Sequence, residues 1–168
     1  MLDGTMSAKA LKKTQALRLL ESKGITHRVT VYDDAGEFHT GEEAAALVGA
    51  PAEAVYKTLV VLRDPPGGLP LLVIVPVAAQ AHLKTLAAAL GEKRLRMAAQ
   101  KEAEKLTGMQ VGGISALAVP AGRFDVLIDE AAQSLEMIHV SAGARGIDVE
   151  LAVADLVRLT GARYTKAT

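Results

Sequence analysis

Ala54-Val55-Tyr56-Lys57-Thr58-Leu59-Val60-Val61-Leu62 is an apolar stretch rich in β-branched residues, with a single charge in its first half. Such a run reads as a strand buried on at least one face. Side chains alternate along a strand, which puts Val55, Lys57, Leu59 and Val61 on one side and Tyr56, Thr58, Val60 and Leu62 on the other. The Lys57 ammonium therefore shares a face with aliphatic neighbours. A lysine fixed in that way beside a cleft suits a phosphate or a polarised carbonyl. It equally suits a sheet edge, where it blunts unwanted pairing or snorkels to water. The run alone leaves the two readings level.

Arg63-Asp64-Pro65-Pro66-Gly67-Gly68 follows, the strongest turn signal in the chain, so residues 55–62 and 69–75 form a hairpin that Pro76 ends. Upstream, residues 10–23 place Leu11, Ala16, Leu17, Leu19 and Leu20 at helical spacing and close on Lys23-Gly24. Residues 26–32 alternate as a strand, and 33–39 are a loop. Thr40-Gly41-Glu42-Glu43 is a capping box that opens a helix through Val48, closing at Gly49. Downstream, helices are expected at 82–90 and 98–106 and strands at 94–97, 116–119, 125–128, 136–140 and 147–150. A last helix spans 152–159. Residues 1–9, small and polar, read as a flexible tail. Residues 10–168 read as one domain of the α/β (α+β) class, its sheet mixed because a hairpin sits among irregularly alternating elements.

Composition narrows the chemistry. The 168 residues are half hydrophobic but only 3% aromatic, without Trp, so the core is aliphatic and rich in Ala. Zero net charge with high apolar content excludes global disorder. No cysteine means no disulfide, thiolate metal site or cysteine nucleophile. With no signal peptide and no run long enough to span a bilayer, a cytoplasmic protein is expected. Lys9, Lys12, Lys13 and Arg18 cluster near the start, and Lys84, Lys93, Arg94, Arg96, Lys101 and Lys105 in the middle. Each cluster is either a solvated helix face or a basic apron beside a cleft. His27, His39, His82 and His139 lack ligand spacing, so neither a metal nor a cofactor is expected. No GxSxG elbow is present.

Two glycine clusters remain. Val111-Gly112-Gly113-Ile114-Ser115 either brings bare amides to a ligand or is a glycine bulge. Ser141-Ala142-Gly143-Ala144-Arg145-Gly146-Ile147-Asp148 sets a hydroxyl, a guanidinium and a carboxylate between two strands. Asp148 is placed to orient Arg145 or Lys57, and Ser141 to donate to an ester or carboxylate oxygen. The alternative is a turn with a surface Arg–Asp pair, worth little.

In register along residues 14–164, Val55-Tyr56-Lys57-Thr58-Leu59-Val60, Val75-Pro76-Val77, Thr107-Gly108, Val111-Gly112-Gly113-Ile114-Ser115 and Val140-Ser141-x-Gly143-x-Arg145-Gly146-x-Asp148-x-Glu150-Leu151 resemble the YbaK/EbsC family. These are free-standing Cys-tRNA(Pro)/Cys-tRNA(Cys) deacylases related to the editing domain inserted in bacterial prolyl-tRNA synthetases. The resemblance implies a mixed, barrel-like sheet with a pocket over the lysine strand. It implies hydrolysis of the ester joining a wrong amino acid to aminoacyl-tRNA, on tRNA(Pro) and also tRNA(Cys), with prolyl-tRNA synthetase as an associated partner. It makes Lys57 the catalytic lysine, and Tyr32, Thr40, Thr58, Gly112, Gly113, Ser141, Gly143 and Asp148 the substrate-binding set. One departure bears on specificity: where cysteine-specific members carry phenylalanine before the loop glycine, this chain has Thr40, with Phe38 two residues earlier. A deacylase of Ala-tRNA(Pro), a non-catalytic aminoacyl-tRNA or synthetase-binding domain, and a hydrolase of small amino-acid esters are the alternatives.

Overall fold

The computed structural model describes residues 13–168; the tail expected at 1–9 lies outside them. The elements are α1 (Gln15–Ser22), β1 (His27–Val31), α2 (Gly41–Val48), β2 (Tyr56–Arg63), β3 (Leu71–Pro76), α3 (Leu83–Leu90), β4 (Leu95–Met97), α4 (Gln100–Thr107), β5 (Asp125–Asp129), β6 (Met137–Ser141), β7 (Ile147–Ala152), α5 (Val153–Thr160) and β8 (Arg163–Thr165). Of the helix expected at 10–23, residues 10–12 lie outside the described ones; α1 begins at Gln15 because Thr14 is extended and its Oγ1 accepts from the Leu17 amide at 3.2 Å. Cap chemistry overrides periodicity there. The four later helices end on Gly49, Gly91, Gly108 and Gly161, each left-handed, as the glycine spacing predicted.

One expected strand is absent and one unexpected strand is present. Residues 116–119 are not a strand: Ala116–Ala118 form a 3₁₀ turn, set by Ser115, whose Oγ accepts from the Leu117 amide at 3.2 Å. A short apolar run does not by itself separate the two states. Strand β8 was not foreseen, since three residues with two exposed carry no periodic signal.

Strands β1, β7 and β6 form an antiparallel sheet in the order β1-β7-β6. The second sheet has the order β4-β2-β3-β5-β8, antiparallel around β2 and parallel from β3 through β5 to β8. It is mixed, as expected. The sheets meet at one parallel bridge, Val55 to His139, and do not close into a barrel.

Alternation along β2 divides the core as the sequence requires. Tyr56 and Val60 join Leu72, Ile74, Ile128, Ile138 and Val149 in the main cluster. Val61 packs on the other side with Leu71, Val73, Val75 and Leu86 of α3. Strand β3 is buried throughout, which fits its unbroken apolar sequence. Each such Leu or Ile contributes about 1.5–3 kcal/mol, so β3 anchors the frame on which β2 is held. Among the described residues no helix is long and apolar enough to cross a membrane.

Candidate functional site

The outer edge of β2 has two different neighbours. Its C-terminal part pairs with β4 over Val61–Arg63, and the Ala98 amide donates to Val60 O at 3.0 Å. Its N-terminal approach touches β6 through the Val55–His139 bridge. The Val77 amide donates to Val55 O, so odd-numbered residues of β2 turn their backbone polar groups toward β3 and even-numbered ones turn outward. Thr58 therefore presents its amide and carbonyl in the gap between β4 and β6. A cavity of about 400 Å³ fills that gap.

Because the cavity opens at a strand edge, it takes side chains from both faces of β2, and Lys57 and Thr58 both line it. The start of α2 supplies Thr40 and Gly41, and apolar walls come from Val55, Leu59, Val77, Met97 and Ile114. Tyr32, Gly112, Ser141 and Asp148 are also on the wall. Seven of the nine sequence-identified residues thus share one cavity. Gly113 and Gly143 stand off it. The Gly113 amide donates to Gln110 O at 2.9 Å, and the Gly143 amide to Ser141 Oγ at 3.1 Å. A Cβ on Gly113 would lie 2.5 Å from the Arg145 amide nitrogen and 2.7 Å from the Ala144 carbonyl carbon. Its place is that of a spacer between two loops. Gly112, at φ +96°, lies against the Phe38 ring.

Lys57 is half-buried, and none of the ion pairs among the described residues includes it. Its stem passes Gly41, where a Cβ would sit 2.7 Å from Val77 Cγ1 and 3.8 Å from Lys57 Cδ. Gly41 is a site residue the sequence reading missed; its signal was a glycine directly after a threonine cap. Thr40 caps α2, its Oγ1 accepting from the Glu43 amide at 3.2 Å. Phe38 is half exposed at the mouth, with the Arg145 guanidinium 5.3 Å from its ring centroid. Arg145 Nε donates to Val111 O at 2.7 Å, tying the two glycine loops together.

Asp148 orients neither Arg145 nor Lys57. Its Oδ2 lies 2.8 Å from His139 Nδ1, and His139 Nε2 is 3.2 Å from Glu150 Oε2. Arg28 reaches Glu150 Oε1 at 3.3 Å. Burial pushes the Asp148 carboxyl up, with His139 opposing in part. Burial works against charge on His139, but Asp148 and Glu150 outweigh it and raise that group. Neither histidine partner nor register was visible in the sequence. Tyr32 is raised by burial, with Asp148 and Asp33 adding to it, and meets the His39 ring edge-on at 5.9 Å. His39 Nε2 is 2.7 Å from Asp33 Oδ2 and Nδ1 is 3.5 Å from Glu43.

Of the basic clusters, Arg94 pairs with Asp64, Arg96 with Glu102 and Lys13 with Glu21. These are solvated faces with their own counter-charges, which shrinks any apron. Among the described residues no group of three His, Asp or Glu is placed to hold a metal ion.

Comparison with known proteins gives the family and the fold. Residues 35–159 match the model of the aminoacyl-tRNA editing domain. An Enterococcus faecalis protein named as a candidate Cys-tRNA(Pro)/Cys-tRNA(Cys) deacylase, EbsC, is 30% identical over 160 residues, covering 95% of this chain and 96% of its own. The crystal structure of hypothetical protein APE2540 matches with TM-score 0.79 at 25% identity, over 91% of this chain and 98% of that one. A candidate trans-editing enzyme for prolyl tRNA synthetase shares the fold, with TM-score 0.77 at 22% identity over 98% and 99% of the two chains. The match over residues 35–159, most of the chain, makes this chain a member of the aminoacyl-tRNA editing domain family.

Proposed function

We propose that the protein hydrolyses the ester of mischarged aminoacyl-tRNA in trans, with Cys-tRNA(Pro) as the principal substrate and Cys-tRNA(Cys) as a second. The observation that carries this is Lys57: a cation on a rigid strand, inside a largely apolar cavity, engaged in no ion pair among the described residues. In such a site an ammonium holds a developing negative charge on an ester carbonyl or a phosphate oxygen more strongly than it does in water. The Thr58 amide and carbonyl, turned outward between the β4 ladder and the β6 bridge, lie next to it and fix the ester plane. At the mouth, Phe38 with Arg145 against its ring offers a flat surface for the terminal base. The cavity has room for a small amino acid and part of a nucleoside.

The catalysis is positional and electrostatic. In a cysteinyl substrate the substrate's own thiol attacks the ester carbonyl; the carbon–oxygen bond to the tRNA ribose breaks, the ribose oxygen leaves with the thiol's proton, and water opens the cyclic thioester released. No protein nucleophile is needed, in keeping with a chain that has no cysteine. An alanyl ester requires water to attack instead. Thr40 in place of a phenylalanine widens the wall on that side and bears on the choice between the two. Prolyl-tRNA synthetase is the partner, and the cytoplasm the place, that this reading brings.

The test is hydrolysis of Cys-, Ala- and Pro-tRNA(Pro) by the wild type beside Lys57→Ala. Loss of the cysteinyl ester alone, slowed about 10²–10³-fold in the variant with its fold intact, is expected. A fully active variant overturns the role of Lys57. Tight tRNA binding that protects every ester would make the protein a non-catalytic carrier.

A further inference from the structure

His139 is absent from the cavity wall, yet it governs what Asp148 brings to that wall. The register of the three-stranded sheet explains how. His139 stands opposite Glu150 across β6 and β7, Ser141 opposite Asp148, and Arg28 opposite Glu150 across β1 and β7. Period-two alternation puts all five on one sheet face, while Ile138, Val140, Val149 and Leu151 fill the core from the other. The imidazole is thereby threaded between two carboxylates at 2.8 and 3.2 Å, with its side chain 11% exposed and that of Asp148 6% exposed.

Ionised carboxylate oxygens only accept hydrogen bonds. His139 Nδ1 is hydrogen-bonded to Asp148 Oδ2, and Nε2 faces Glu150 Oε2 at ion-pair distance, so a proton on Nδ1 serves Asp148 and the field of both carboxylates favours a second proton on Nε2. The group then closes electrically: Asp148 and Glu150 supply two negative charges, His139 and Arg28 two positive. From the β2 side His139 meets Val55, which has no charge, and Tyr32 faces Asp148 from the end of β1. Among the described residues no hydrogen bond engages Asp148 Oδ1, and Asp148 lines the cavity.

We propose that His139 is a positioning residue for the editing reaction: clamped between Asp148 and Glu150, it keeps the Asp148 carboxylate ionised and fixed, leaving Oδ1 to receive the α-ammonium of the aminoacyl ester. This rests on the reading of the cavity as an aminoacyl-ester site, since an aminoacyl ester offers one cation near its reacting carbonyl. Lys57 and Asp148 then divide the ligand, the first taking its negative oxygen and the second its ammonium. The raised pKa of His139 agrees with the clamp. The raised Asp148 shows why one is needed, because burial alone would drive that carboxyl toward its neutral form.

Two experiments decide it. Nitrogen-detected NMR of the histidine rings in the ligand-free full chain should find His139 doubly protonated at neutral pH, where an ordinary histidine, titrating near 6.5, is mostly neutral. A neutral His139 ring there overturns the clamp whatever the chain hydrolyses. In the second, His139→Gln should lose roughly tenfold in kcat/KM for Cys-tRNA(Pro) at about pH 5.5 and recover to within about threefold of wild type near pH 8, because Asp148 without its cation takes up a proton more readily. A uniform loss at every pH, in step with a lower melting temperature, assigns His139 a purely structural part and overturns the proposal. Failure of the wild type to hydrolyse any aminoacyl-tRNA overturns the ammonium contact together with the editing reading, and the NMR result still separates that failure from failure of the clamp.

Discussion

Replacing Gly113 with alanine separates two explanations of the same glycine. If Gly113 serves as an amide donor, alanine keeps the N–H and costs little. If it is the spacer that lets the 111–115 loop lie on the 141–148 loop, alanine drives a methyl group into backbone. The structure favours the second: the added Cβ would be 2.5 Å from Arg145 N, 2.7 Å from Ala144 C and 3.0 Å from Ala144 Cα. Backbone atoms cannot rotate away, so the cost falls at the upper end of the usual overpacking range, about 3 kcal/mol. For a domain of this size each kcal/mol lowers the melting temperature by about 2–4 °C, so Gly113→Ala should melt about 6–12 °C below wild type. The control is Gly49→Ala, where φ is +78° and nothing lies within 4 Å of the added Cβ. Only the left-handed conformation opposes alanine there, at about 1–2 kcal/mol, or about 2–8 °C. Thermal melts followed by circular dichroism give the ranking. A Gly113→Ala protein that melts no lower than Gly49→Ala refutes the spacer argument. Wild-type stability with deacylation retained would restore the reading of Gly113 as an amide donor.

Two further outcomes follow from the mouth and the first loop. Phe38→Ala should weaken binding of an adenosine-terminated acceptor-stem mimic about 5- to 100-fold, the usual worth of one stacked base, with little change in melting because 53% of Phe38 is already exposed; an unchanged Kd removes the stacking surface. His39, raised above 6.5 by Asp33, adds stability that is complete below 6.5 and lost as pH rises through its raised value, while Asp33, held below 3.8 by His39, adds stability that is lost as pH falls through its lowered one. The loop from Asp33 to Glu43 should therefore be tightest between about pH 4 and 6.5, and His39 proton NMR should show its titration falling toward the ordinary range in Asp33→Asn, with Glu43 still holding part of the rise. Equal midpoints in the two proteins would refute the pair.

Local chemistry made much of this molecule legible before any coordinates. Thr40 and Gly49 mark both ends of α2 because capping is written in adjacent residues. The hairpin of β2 and β3 follows from one Pro- and Gly-rich turn between two apolar runs. What escaped depends on pairing over long distances. The exposure of the Thr58 backbone is fixed by where β4 stops and where β6 begins, neither of which β2 encodes. His139 gained its meaning from residues 9 and 11 positions later, through a strand register that no spacing rule supplies. Gly112 and Gly113 are neighbours of one residue type, yet one faces the cavity and the other a backbone, a distinction made by the loop packed over them.

The same strand carries a second cation, and the contrast explains why Lys57 is available. Arg63 lies six residues further along β2, on the same side by alternation. Its Nε meets Glu92 at 2.7 Å, one terminal nitrogen meets Asp125 at 3.2 Å and the other donates to the Leu69 carbonyl. Glu92 first and Asp125 after it hold the guanidinium above its ordinary pKa. Arg63 is saturated by its own chain, and its five-donor fork is suited to just that work of tying a turn to two elements. Lys57 passes Gly41 and shares its cavity wall with Val77 and Leu59, where Arg63 meets carboxylates. Supplying Lys57 with an internal carboxylate would steady the free protein, but a ligand oxygen would then have to displace that partner before it could bind. Leaving the ammonium half-buried costs some stability and keeps its whole field for the ligand. The open gap beside Thr58 follows the same logic in the backbone, because a strand edge closed by β4 or β6 would have no amide left to offer.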